Sequence, residues 1–216
     1  MKKFILLVLI GFVGFTQVKA QKVNELWSAA ELDLRLTKSF SVGIDQQFRF
    51  VDTTGLKSAI SQVGFKQRLN KQWDIIAHYR FVGSPIKSNA NRLMLSLAFK
   101  DRILKTDFRL SYRFRYQLEK GIEEINPDHD FRNKLGLEYN LSKLVDPSLE
   151  YEIFLKADKS PDFSKNRITF ALEWNLLSII DIETFYRFQK DIGDSNPDIQ
   201  HIYGFGIAYG LDLRKD

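Results

Sequence analysis

The chain has 216 residues, 44% hydrophobic and 27% charged, with a formal net charge of +5 and no cysteine. The absence of cysteine excludes a disulfide framework, a thiolate metal centre and a cysteine nucleophile. Lys2, Lys3 and Lys19 supply three of the positive charges within the first twenty positions, which hold no acid, so the rest of the chain lies near charge balance and gives no support for nucleic-acid binding.

The N-terminus has the layout of a secretory leader. Lys2 and Lys3 form a positive start, Phe4 to Phe15 an apolar run broken by Gly11 and Gly14, and Val18-Lys19-Ala20 a signal-peptidase site. The run is too short and wrongly flanked for a stable membrane span. Residues 1–20 are expected to be removed as a signal peptide. No composition shift or linker divides residues 21–216, which read as one domain.

From Leu26 onward apolar and polar residues alternate. The clearest case is Thr106 to Leu118. Phe108, Leu110, Tyr112, Phe114, Tyr116 and Leu118 occupy even positions, and Asp107, Arg109, Ser111, Arg113, Arg115 and Gln117 odd ones. A period of two places one set on each face of a β-strand. The same pattern predicts strands over Leu26–Leu36, Phe40–Phe50, Ala59–Leu69, Trp73–Phe81, Leu93–Phe99, Phe131–Leu141, Leu149–Leu155, Ile168–Trp174, Ile180–Phe188 and Tyr203–Leu211. Short turns and longer polar loops alternate between them. The turns are Thr37 to Ser39, Asn70-Lys71, Asp101-Arg102, Ser142 to Asp146 and Asn175 to Ser178. The loops are Asp52 to Ser58, Gly83 to Asn91, Glu119 to His129, Asp158 to Ser164 and Lys190 to Pro197.

No stretch beyond Ala20 is a transmembrane helix. Barrel spans are about ten residues of alternating polarity and escape hydropathy windows. The expected fold is all-β: a single up-and-down antiparallel transmembrane β-barrel of about 10–12 strands, twelve being favoured. An odd count conflicts with both termini lying in the periplasm. A missed strand, Gln21 to Glu25 threading through the lumen, or parallel closure of the first and last strands would each resolve it.

Three arguments turn the apolar face outward. A barrel of eleven or twelve strands is too wide for side chains to fill, so an apolar interior would be a large void whereas a polar one can be hydrated. The aromatic residues of that face form two bands: Phe40, Trp73, Phe99, Tyr139, Trp174 and Tyr209 beside the short turns or C-terminus, and Phe50, Phe81, Tyr116, Phe131, Phe188 and Tyr203 beside the long loops, as lipid headgroup girdles require. Finally, the polar face carries fixed charges of both signs, which suit a wet or salt-bridged lumen.

Glu25-Leu26-Trp27, Gln47-Phe48-Arg49-Phe50, Tyr79-Arg80, Tyr112-Arg113-Phe114-Arg115 and Tyr186-Arg187 resemble the domain-of-unknown-function 2490 family of Bacteroidetes. The resemblance implies an outer-membrane barrel of unknown role and supplies no functional residues.

The sequence offers little catalytic chemistry. His78, His129 and His201 lack a serine two residues on, so the His-x-Ser pattern of barrel lipid hydrolases is missing. Asp191, Asp194, Asn196 and Asp198 only loosely resemble a calcium loop. No catalytic, metal or cofactor site is expected.

The distinctive feature is the lumen. Lys66, Arg68, Arg80, Arg109, Arg113, Arg115, Arg132 and Lys134 come from middle strands, and Glu150, Glu152, Glu173, Asp181 and Glu183 from later ones. In a meander these become a basic arc facing an acidic arc. Their ion pairs are expected to bridge and narrow the lumen. The chain reads as an outer-membrane barrel, structural or a narrow, weakly selective solute channel. Its partners would be outer-membrane lipids, the assembly machinery and a small polar or anionic solute. An outer-membrane lipid-modifying enzyme and a soluble periplasmic lipid-binding barrel stay open as alternatives.

Overall fold

A computed structural model describes residues 22–52, 55–157, 162–177, 179–193 and 196–214. The expected signal peptide and its cleavage point lie outside these residues. Eleven strands are described: β1 (Lys22–Arg35), β2 (Phe40–Val51), β3 (Gly55–Arg68), β4 (Trp73–Gly83), β5 (Ala90–Arg102), β6 (Phe108–Gly121), β7 (Asp128–Tyr139), β8 (Val145–Lys156), β9 (Asp162–Leu177), β10 (Ile180–Asp191) and β11 (Ile199–Asp212). Each strand pairs with its sequence neighbours, and β1 closes the barrel against β11.

The count lies within the expected range, but eleven strands replace the favoured twelve. In a meander with an odd number of strands, the first and last run the same way, so they must close in parallel. Closure follows a register from Lys22↔Ile199 to Arg35↔Asp212. Lys22 to Glu25 therefore neither thread the lumen nor hang free; they pair with Ile199 to Ile202. All other pairings are antiparallel hairpins.

The strands also run further than alternation alone suggests, to 11–16 residues each. The ladder satisfies backbone groups whatever the side chain, and polar rims such as Glu119 to Gly121 join it. As a result the longer loops shrink to 52–54, 84–89, 122–127, 157–161 and 192–198, against turns at 36–39, 69–72, 103–107, 140–144 and 178–179. The first set marks the loop end of the barrel, the second the turn end.

Several turns are fixed by one side-chain oxygen. Thr37 Oγ1 accepts from the Phe40 amide at 2.9 Å, Asn70 Oδ1 from Gln72 and Trp73, and Ser142 Oγ from Leu144 and Val145, the usual role of such residues in turns. Pro147 in β8 lies beyond the last β7 pairing, Glu138↔Ser148, so its missing N–H leaves no gap on that side.

Candidate functional site in the barrel lumen

Alternation sorts the two faces as the sequence pattern indicates. Large apolar residues stand exposed outside, among them Leu95 at 55%, Leu149 at 53% and Ile44 at 51%, while Glu152 and Arg115 are only 4% and 6% exposed inside. The thirteen charged residues assigned to the lumen all share the inward parity. Lys66, Arg80, Arg113, Arg115, Arg132, Lys134, Glu150 and Glu152 line one cavity; Glu173 and Glu183 line a second, Asp181 a third, and Arg68 a small recess at the turn end. Arg109 pairs with Glu138, a wall residue of the second cavity.

The basic and acidic residues follow the wall in strand order, with Arg167 and Arg187 set among the acids, and their ion pairs do not span the lumen. Basic β7 and acidic β8 are neighbours, so the charges meet along that seam. Lys134 bonds Glu150, and Arg132 bonds Glu152 at 2.8 Å. Glu152 also receives Arg167 from β9 at 3.2 Å, with Arg113 from β6 at 3.9 Å. One buried carboxylate thus gathers guanidiniums from three strands. A charged acceptor with several charge-assisted partners is the arrangement that makes burial tolerable.

Around that hub lies a layer of packed side chains. Trp27 Nε1 donates to Glu25 Oε2 at 2.8 Å. The Arg49 guanidinium stacks 3.7 Å from the Trp27 ring centroid, with Arg187 at 5.1 Å. Arg167 lies 5.9 Å from the same ring, a chord from β9 to β1 that skips two strands. Arg132 and Arg167 also cover Phe154, while Phe185 meets Trp27 edge-on at 6.4 Å. Gln117, Gln189, Ile60, Met94 and Ile202 are buried inside as well. Stacked guanidiniums bring apolar and hydrogen-bonding contact together, so long polar side chains fill a width that aliphatic ones would not.

Toward the turn end the wall residues become small and short. Ser41, Gly43 and Gly64 line a cavity of about 390 Å³. Ala98, Ser111, Gly136 and Ser148 line another of about 310 Å³. Register also sets like charges opposite each other along the inner face: Glu31↔Asp45 and Glu173↔Glu183 on the acidic side, Arg113↔Lys134 and Arg115↔Arg132 on the basic side.

Trp27, Phe154 and Phe185 are among the lumen residues that charge patterning missed. Their signal is parity: Trp27 is in phase with Glu31 and Asp33, Phe154 with Glu150 and Glu152, and Phe185 with Asp181 and Glu183. An aromatic residue in phase with charges must lie among them.

The twelve girdle aromatics all carry the outward parity. Trp73 packs on Phe99 at the turn end, while Tyr116 packs on Phe131 and Tyr186 on Tyr203 nearer the loop end. Four tyrosine hydroxyls bond a diagonal neighbour on the next strand, two residues from the register partner toward the loop end. The pairs are Tyr79–Asn91, Tyr112–Asn133 and Tyr116–His129 at 2.6 Å, and Tyr186–His201 at 2.8 Å. Gln46 and Ser61 pair outside likewise. These polar atoms on the apolar face thus find partners within the wall. His129 and His201 belong to these outer pairs, and His78 points into the lumen.

The family model described as a protein of unknown function, DUF2490, matches residues 24–200, most of the chain. No curated protein matches the sequence significantly.

Proposed function

The chain belongs to the DUF2490 family, and we propose from its geometry that it is an integral β-barrel of a Gram-negative outer membrane with a closed, charged lumen. The observation that carries the reading is the outer face. Exposed large apolar residues occur on ten of the eleven strands, from Leu26 in β1 to Tyr209 in β11, the exception being β10, whose apolar residues are half-buried. A soluble monomer rarely exposes a contiguous apolar patch beyond a few hundred Å², and this belt runs over ten neighbouring strands of the barrel. The secretory pattern of residues 1–20 supports the same compartment.

The reading is non-enzymatic. The barrel is a structural element or, at most, a narrow conduit for small polar solutes, because the packed layer occupies the cross-section where a pore would run. Its lipid neighbours would be met by the paired tyrosines of the outer face.

Fractionation tests the location. The protein is expected in the outer membrane, extracted by detergent and shifting in gel mobility on heating. Leu95→Arg, on the exposed face, should cost on the order of 2–4 kcal/mol at mid-bilayer and reduce assembled barrel sharply. Recovery of wild type as a soluble periplasmic protein, with Leu95→Arg tolerated, would overturn the proposal in favour of a soluble lipid-binding barrel.

A further inference from the structure

The basic side of the cavity of about 390 Å³ carries more cation than the wall neutralises. Glu150 and Glu152 engage Lys134, Arg132, Arg167 and Arg113. Arg80, Arg115, Arg187 and Lys66 line the same cavity with no carboxylate within 4.0 Å among the described residues. Arg80 bonds only the neutral Gln62, at 2.6 Å and 2.9 Å, and Arg187 the neutral Thr169.

Arg115 is the sharpest case. It is 6% exposed. Its Nε donates to Ser96 Oγ at 2.9 Å, and Nη1 reaches Met94 Sδ at 3.5 Å, a weak acceptor. Its register partner is Arg132, and the charges acting on it most strongly are cations: Arg113, Arg132 and Arg80. Met94 is also the register partner of His78, so β4, β5 and β6 form one continuous patch. On that patch His78 Nδ1 is buried with no hydrogen-bond partner among the described residues. Buried polar atoms and cations normally find partners, and the partner these cations lack is an anion.

We propose that this patch, His78 and Arg80 on β4 with Arg113 and Arg115 on β6, binds a small dianionic oxyanion of the phosphate class. The cavity of about 390 Å³ is at the lower end of the size range of small-molecule sites, and exceeds what a bare phosphate fills, so water or a small organic substituent accompanies the anion. Planar guanidiniums match the oxygens in pairs. Access runs from the turn end, where a recess lined by Arg35, Lys38 and Arg68 shares Asp33, Ser41 and Lys66 with the cavity. The inference stands on the lumen alone and does not depend on the membrane location.

The test is calorimetric titration of the folded, detergent-solubilised protein with inorganic phosphate at constant ionic strength, chloride serving as the reference anion. Wild type should show saturable binding near one phosphate per chain. Arg115→Gln should weaken it about tenfold or more, and Lys71→Gln, a charge change in the 69–72 turn, should leave it unaltered. Should Arg115→Gln lose the heat-dependent mobility of a folded barrel, Arg80→Gln is read in its place. Absence of saturable phosphate binding to wild type overturns the proposal, and so does a folded Arg115→Gln or Arg80→Gln that binds as wild type does.

Discussion

The two ends of the lumen are built from the same strands and the same alternation, yet they obey different physics. At the loop end, long side chains interlock: Trp27 under Arg49, and Arg132 and Arg167 on Glu152. At the turn end, Gly43, Ser111, Gly136 and Ser148 leave room, and acids such as Glu173 and Glu183 face each other. Eleven strands give a wall too wide for an apolar core. Side-chain reach then decides whether a stretch of wall is packed or wet. Where it is packed, charges depend on one another; where it is wet, water screens them.

That contrast is broken most directly at Glu152. Glu152→Gln leaves the guanidiniums of Arg132 and Arg167 buried without their carboxylate. Removing one partner of a buried ion pair typically costs about 3–5 kcal/mol, and urea unfolding in micelles should show a loss of that order. A loss below about 1 kcal/mol, the range of solvated pairs, would mean that the layer is as wet as the turn end.

Trp27 tests closure as well as stability. Trp27→Ala removes the ring on which Arg49 and Arg187 rest and should cost about 3 kcal/mol. Wild type is expected to show little or no single-channel conductance in planar bilayers, and Trp27→Ala to conduct measurably. A large, steady wild-type conductance would show that the layer is no barrier.

Most of this wall was legible in the sequence, because a period of two survives any register. Arg109, Arg113 and Arg115 face inward and Phe108, Tyr112 and Phe114 outward, as their alternation requires. The strand ends were not legible, because backbone pairing continues through residues such as Glu119 and Asp128, whose side chains suggest loops. Nor was the closure: Lys22 to Glu25 form a ladder with β11 that no local pattern announces. The charged arcs were readable in order around the wall. The height at which the side chains interlock depends on strand tilt, which sequence order does not carry.

Two glycines of one strand sharpen the comparison at smaller cost. In β11 the Phe185 ring lies directly over Gly204, so an added Cβ would overlap it, whereas nothing lies within 4 Å of a Cβ at Gly210. Gly204→Ala should destabilise by about 1–3 kcal/mol through overpacking. Gly210→Ala should be neutral or stabilise by up to about 1 kcal/mol, since it only restricts the unfolded chain. Equal thermal shifts for the two variants would place Gly204 outside a packed layer.

The smallest effect is expected where like charges share water. Glu183 and Glu173 are direct register partners on the inner face. Both are exposed to the turn-end lumen, and neither has a cation within 4.0 Å among the described residues. Like charges directly opposite across a strand pair oppose folding by roughly 0.2–1 kcal/mol. Glu183→Gln should therefore stabilise the barrel by that amount, the opposite sign to Glu152→Gln two strands away on the same face of the wall. The gain should shrink as salt rises from about 0.01 M to 1 M, because the Debye length falls from about 30 Å to about 3 Å. A destabilisation by Glu183→Gln that salt does not change would instead place this acid in a dry network like that of Glu152, and the division between a packed end and a wet end would fail.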